Sequence, residues 1–146
     1  MMHLLIVLTI SQKAEFSKFR EIAYATDLRS SDVNIIKWLK QFSEMLEVDL
    51  SVIHIPPDNI SPEEETSKKI TEEILKRTPD NHSNIKYYQG KNIEQSLHEI
   101  IKQMDVGMLA MLYRKYDFFK SLFHGSQAHK MIRHTDITVL IFPDSE

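Results

Sequence analysis

Cysteine is absent from the 146 residues, and glycine is scarce, with Gly90, Gly107 and Gly125 as the whole supply. Average usage of about 7% would give about ten glycines in a chain of this size. Without cysteine there are no disulfides, no thiolate metal sites and no cysteine nucleophile, and the composition fits a reducing compartment, so a cytoplasmic location is expected. With three glycines neither GxGxxG nor GxxxxGK[ST] can be written, which excludes a classical dinucleotide fingerprint and a Walker A loop. A strong charge of either sign is missing too. Net charge is −3 and pI about 6.2, giving no overall electrostatic case for nucleic acid or an anionic membrane as partner. The apolar run Leu4-Leu5-Ile6-Val7-Leu8 falls far short of the ~20 residues that span a bilayer. It has no basic segment before it and no small-residue cleavage site after it, so it reads as a buried strand, not a signal peptide.

What is present is the ordinary balance of one soluble domain, 42% hydrophobic and 27% charged. A strand is expected over His3–Ile10, then a polar linker over Ser11–Phe19, then a second strand over Glu21–Thr26 ending at Asp27. Ser30-Ser31-Asp32 offers an N-cap, and Ile35, Ile36, Leu39, Phe42, Met45 and Leu46 recur at helical spacing behind it. Val48–Ile55 reads as a buried strand closed by Pro56-Pro57. Ser61-Pro62-Glu63-Glu64 then combines a cap, a first-turn proline and acidic residues at the positive end of a helix dipole. That helix has few apolar residues beyond Ile70, Ile74 and Leu75, so it is expected on the outside.

Further on, Asn84–Gln89 is a strand, and Ile93, Leu97, Ile100, Ile101 and Met104 form the cleanest helical stripe in the chain. Val106–Leu112 is an apolar run of the kind buried on both faces of a parallel sheet, Ser126–His134 a last helix and Ile137–Phe142 a last strand. From Arg20 onward the alternation βαβαβαβαβ predicts an α/β domain with a parallel sheet, right-handed crossovers and helices on both faces. Ligands in such sheets bind at the carboxyl ends of the strands, here Asp27, His54-Ile55 and Leu112 onward. The chain divides into an extra strand with linker, 1–17, and the domain proper, 18–146.

Asp27 and His54 at strand ends, with Leu122-Phe123-His124-Gly125-Ser126, Lys130-Met131-Ile132-Arg133-His134-Thr135 and Val139-Leu140 behind them, together resemble the universal stress protein family. More narrowly, Ile22–Leu28 and the Arg114-Lys115 to Thr135 pattern resemble the second unit of tandem bacterial members. The resemblance covers about Lys18 to Pro143. It implies a five-stranded parallel sheet in the order 3-2-1-4-5, and in many members ATP held by an Asp after the first strand and a loop reading G-x-x-G, nine residues, then G-[ST]. Counting back from Gly125-Ser126 puts the first two glycine places on Leu112 and Lys115. Side chains there would intrude where bare backbone amides approach phosphates. The family resemblance also makes His3–Ile10 the closing strand of a preceding unit. It is expected to pair antiparallel with the last strand, within the chain or exchanged between two chains.

The candidate nucleotide or anion site is Asp27, His54, Arg114, Lys115, Gly125 and Ser126. Asp27 has two readings, a hold on ribose or adenine as the resemblance implies, or an organiser of the strand-to-helix turn. His54 reads as a strand-end ring meeting solvent or a carboxylate. Ser126 either donates to a phosphate or caps the last helix. Between Leu112 and His134, Arg114, Lys115, Lys120, Lys130 and Arg133 face the single acid Asp117, an anion pocket or a solvated basic face. No metal site is expected, because His124, His129 and His134 are spaced by five and do not align on one helical face. No catalytic residue is assigned, since Ser126 lacks the glycines of a nucleophile elbow.

The expected function is a non-catalytic stress-response or signalling module with ATP binding lost or weakened and no resident cofactor. It acts as a homodimer through the final-strand edge, Ile137, Val139 and Ile141, and the first strand, Leu4, Ile6 and Leu8. The alternative is a binder of nucleotides or phosphate metabolites, or a slow ATP hydrolase, using the basic loop in place of glycines. A third reading is a structural remnant of a longer tandem protein.

Overall fold

A computed structural model describes residues 7–9, 20–26, 28–54, 62–76, 83–87, 99–100, 102–113 and 138–143. The elements are β1 (Val7–Thr9), β2 (Glu21–Thr26), α1 (Ser30–Leu46), β3 (Asp49–His54), α2 (Pro62–Lys76), β4 (Ser83–Tyr87), β5 (Val106–Tyr113) and β6 (Thr138–Pro143). One sheet of six strands joins them in the order β1-β6-β5-β2-β3-β4. Counted from β2 the five parallel strands have the expected 3-2-1-4-5 order, and only the pairing of β1 with β6 is antiparallel. The register sets Val7 opposite Ile141, Leu8 opposite Leu140 and Thr9 opposite Val139. The unassigned first strand therefore covers the edge of β6 from within the same chain. Ile137, Leu4 and Ile6 lie outside the described residues, as do the helix expected over Ser126–His134 and most of the stripe from Ile93 to Met104.

Strands buried on both faces need apolar residues at every position, and β2 meets that demand: Ile22, Ala23, Tyr24 and Ala25 are fully buried and Thr26 nearly so. Ile22 and Tyr24 face the α1 side, where Ile36, Leu39, Leu50, Met108 and Phe142 join them in one core. Ala23, Ala25, Ile53 and Leu109 are also fully buried, so both faces of the sheet are covered. A chain of aromatic contacts crosses the α1 side. Tyr24 and Phe142 meet edge to face at 6.4 Å, Phe142 and Trp38 at 5.6 Å, and Trp38 stacks on Phe42 at 4.9 Å. Each such pair adds about 0.5–1.5 kcal/mol beyond the area it buries.

The helix ends differ from the sequence reading in instructive ways. Arg29, in extended conformation, is the N-cap of α1, and Asp32 is its third helical residue. Asp32 Oδ2 accepts the Arg29 backbone N–H at 2.7 Å, while Ser30 and Ser31 are already helical. At the other end Glu47 turns left-handed at φ 58°, and the Val48 N–H reaches back to the Ser43 carbonyl at 3.0 Å. This is the closure that glycine usually supplies.

α2 begins at Pro62 as expected, but its inward stripe is polar. Glu64, Ser67, Thr71 and Leu75 are buried, whereas Ile70 is 40% exposed. Positions three and four apart share a helix face, so placing Leu75 inward brings Thr71 and Ser67 with it and turns Ile70 aside. Lys40, itself buried, reaches from α1 to donate to the Ile74 carbonyl in the last turn of α2.

Two outcomes test this architecture. Deleting residues 1–12 exposes the β6 edge, and light scattering is expected to show lost solubility or a changed oligomeric mass. Glu47→Gly is expected to raise stability by about 1 kcal/mol in thermal melts, because glycine takes a left-handed backbone without steric penalty.

Candidate functional site

In an open parallel sheet a crevice forms where consecutive connections diverge to opposite sides. Here β2 has β3 on one side and β5 on the other, so the divergence lies between β2 and β5. Their carboxyl ends are Thr26 and Tyr113, and Ala25 sits opposite Met111 in the register. On the far side Thr26 pairs with His54 and His54 with Tyr87. The chain runs directly from Thr26 to Asp27, and from Tyr113 to Arg114 and Lys115. Of the candidate residues, His54 is thus the one at a described strand end.

Of the sequence candidates, His54 is described. It is 4% exposed, so its ring does not meet solvent, and it ends β3 between Thr26 of β2 and Tyr87 of β4. Asp27, Arg114, Lys115, Gly125 and Ser126 lie outside the described residues. Leu112, which occupies the place of the first glycine in the family loop, is a strand residue 3% exposed, paired with Phe142 and part of the core.

The turn from β2 to α1 is built with unusual definiteness. The Thr26 hydroxyl accepts the Leu28 N–H at 2.9 Å. Leu28 is fully buried yet left-handed at φ 55°, a conformation costing a residue with a β-carbon about 1–2 kcal/mol. Asp32, fully buried, accepts from Arg29 and also from the Tyr24 hydroxyl at 2.5 Å, the length of an O–H bond to a carboxylate. Sequence reading named none of Tyr24, Thr26 or Leu28 as part of the site. Tyr24 carried a signal even so, since a tyrosine inside an apolar strand needs a partner for its hydroxyl.

A cleft of about 350 Å³ opens between the N-terminal halves of α1 and α2, lined by Ser30, Val33, Asn34, Thr66, Ser67 and Ile70. It belongs to the helix layer, not to the strand ends, and the described residues of its lining carry no charge. Among the described residues no group of three or more His, Asp or Glu is placed to hold a metal. No helix among them is long and apolar enough to cross a membrane.

The sheet order defines a doubly wound α/β protein whose crevice lies at the carboxyl ends of β2 and β5. Residues 18–143 match the model of the universal stress protein family, and the chain belongs to that family. Solved structures agree on the fold. A universal stress protein in complex with cAMP superposes with a TM-score of 0.58 at 14% identity, over 86% of this chain and 97% of that one. The universal stress protein of Archaeoglobus fulgidus in complex with dAMP gives a TM-score of 0.51 at 14% identity, covering 86% of this chain and 99% of that one. Another structure of a universal stress protein from the same organism gives 0.53 at 16%, with 85% and 93% covered. No curated protein matches the sequence.

The left-handed leucine generates an inverted order of mutational cost. Leu28→Ala removes buried side chain, at about 2–5 kcal/mol, and keeps the backbone penalty. Leu28→Gly removes slightly more side chain but releases that penalty, so it is expected to be less damaging than Ala by about 1 kcal/mol in denaturant unfolding. Equal or reversed losses would place the penalty elsewhere.

Proposed function

We propose that the chain is a non-catalytic stress-response module of the bacterial cytoplasm that acts through a second copy of itself and a protein partner, with conventional ATP binding weakened. The observation that carries the weakened site is Leu112. β5 runs on through Leu112 and Tyr113, paired with Phe142 and Pro143 of β6. The strand therefore continues at the point where a glycine loop would begin to wrap amides around a polyphosphate. Lys115 stands at the second glycine place.

A second reading is favoured by the two structural neighbours solved with cAMP and dAMP. In it the carboxyl edge of this chain takes a nucleotide with a single phosphate. Asp27 and His54 serve the nucleoside in this reading, while Arg114, Lys115 and the helix start expected at Gly125-Ser126 serve the phosphate. One phosphate needs fewer backbone amides than three, and two cations stand in for the lost cradle. Slow ATP hydrolysis at the same edge is the third outcome of the test.

The antiparallel β1 on β6 supports reading His3–Ile10 as the closing strand of a preceding unit, and so a tandem ancestry. Because β1 covers β6, two copies pair through the remaining edge of β1 or by exchanging β1. Val139 and Ile141 then lie in the strand next to the interface.

Calorimetry with Mg-ATP, AMP and cAMP decides among the readings. The expected result is no saturable Mg-ATP binding at low micromolar concentration, and Lys115→Gly tightening Mg-ATP by about tenfold, which is about 1.4 kcal/mol. Low-micromolar Mg-ATP binding by the parent overturns the weakened site. Saturable AMP or cAMP binding establishes the single-phosphate reading, and its absence leaves the module without a nucleotide. Phosphate release from Mg-ATP would establish the hydrolase.

A further inference from the structure

We infer that Tyr24 and Asp32 are positioning residues for the carboxyl-edge site, locking the turn from Thr26 to Arg29 that the chain passes through at Asp27; the functional half of this inference rests on the nucleotide reading above. Three side-chain hydrogen bonds fall within nine residues. Tyr24 Oη donates to Asp32 Oδ1 at 2.5 Å, the Arg29 N–H donates to Asp32 Oδ2 at 2.7 Å, and the Leu28 N–H donates to Thr26 Oγ1 at 2.9 Å. The Asp32 N–H closes the ring of contacts on the Arg29 carbonyl at 3.0 Å. All the side chains that accept or donate here, Tyr24, Thr26 and Asp32, are 1% exposed or less.

A helix start does not require this. Serine at the cap costs less to bury than a carboxylate, yet Ser30 and Ser31 are already helical and the cap position falls to Arg29. The carboxylate instead has one oxygen on the helix start and the other on the central strand, so the two ends of the turn are fixed against each other. Between them Leu28 is held left-handed with its side chain fully buried. A backbone held in an unfavourable region by bonds on both sides is the mark of a turn whose shape is used. Asp27 is the residue between Thr26 and Leu28.

Tyr24→Phe keeps the ring and its packing on Phe142 and removes the donor; Thr26→Val removes the second acceptor at nearly constant volume. Lys40→Met, at the other end of α1, is the control for general loss of stability. In the full chain, amide hydrogen exchange is expected to accelerate about tenfold at Arg29 in Tyr24→Phe and at Leu28 in Thr26→Val, with little change at either amide in the control. AMP affinity, read by calorimetry, is expected to fall about fivefold or more in both turn variants and less than about twofold in Lys40→Met. Unchanged exchange at Arg29 and Leu28 overturns the lock. Faster exchange with AMP affinity no lower than in the control overturns the positioning role. If the parent binds no AMP, the nucleotide reading fails, and with it the functional half of the inference, while exchange alone decides whether the pair locks the turn.

Discussion

The bond between Tyr24 and Asp32 joins the two halves of the molecule that have least in common. On one side is a fully buried apolar strand whose tyrosine ring meets Phe142 edge to face; on the other is the polar start of α1. Burying a carboxylate is costly unless its oxygens are occupied, and burying a phenol hydroxyl is costly for the same reason. Each group removes the other's penalty, and the Arg29 amide occupies the second oxygen. The central strand, the first helix and the turn between them are therefore joined as one unit at the carboxyl end of β2.

Scarcity of glycine shapes the rest. Leu28, Glu47 and Asp105 all take positive φ, while Gly107, the one glycine among the described residues, does not. At Leu28 the conformation is held by hydrogen bonds and burial, and at Glu47 by the backbone closure onto Ser43 and Glu44. Gly107 has a different use. The pairing of Glu21 with Val106 and Ile22 with Met108 passes over it, so the register of the two central strands shifts there.

Much of the architecture was legible in the sequence because strands buried on both faces are nearly continuous apolar runs, and β2, β3, β5 and β6 are such runs. Their order, and the antiparallel place of the first strand, followed from the family resemblance. The inner face of α2 was not legible. Periodicity ranks residues by hydropathy, whereas Ser67 and Thr71 are inside because Leu75 is, two and one turns away on the same face. The burial of His54 escaped for a related reason, since a polar residue at a strand end looks the same in sequence whether the fold covers it or not. Asp27, named from sequence as a carboxylate after a strand end, lies outside the described residues. The bond from Tyr24 to Asp32 was not legible, because it joins residues eight apart on different elements.

The polar underside of α2 gives the two helices of one layer different fates. α1 is anchored by Ile35, Ile36 and Leu39 and by the aromatic chain through Trp38, whereas α2 carries Leu75 as its one buried large apolar side chain among the described residues. Thr71 Oγ1 is enclosed with no hydrogen-bond partner among those residues. The Lys40 bond to the Ile74 carbonyl fastens α2 near its carboxyl end and leaves the opposite end beside an open cleft. α2 is thus held by polar groups where α1 is held by apolar ones, and the two helices are unequal in what resists their local opening.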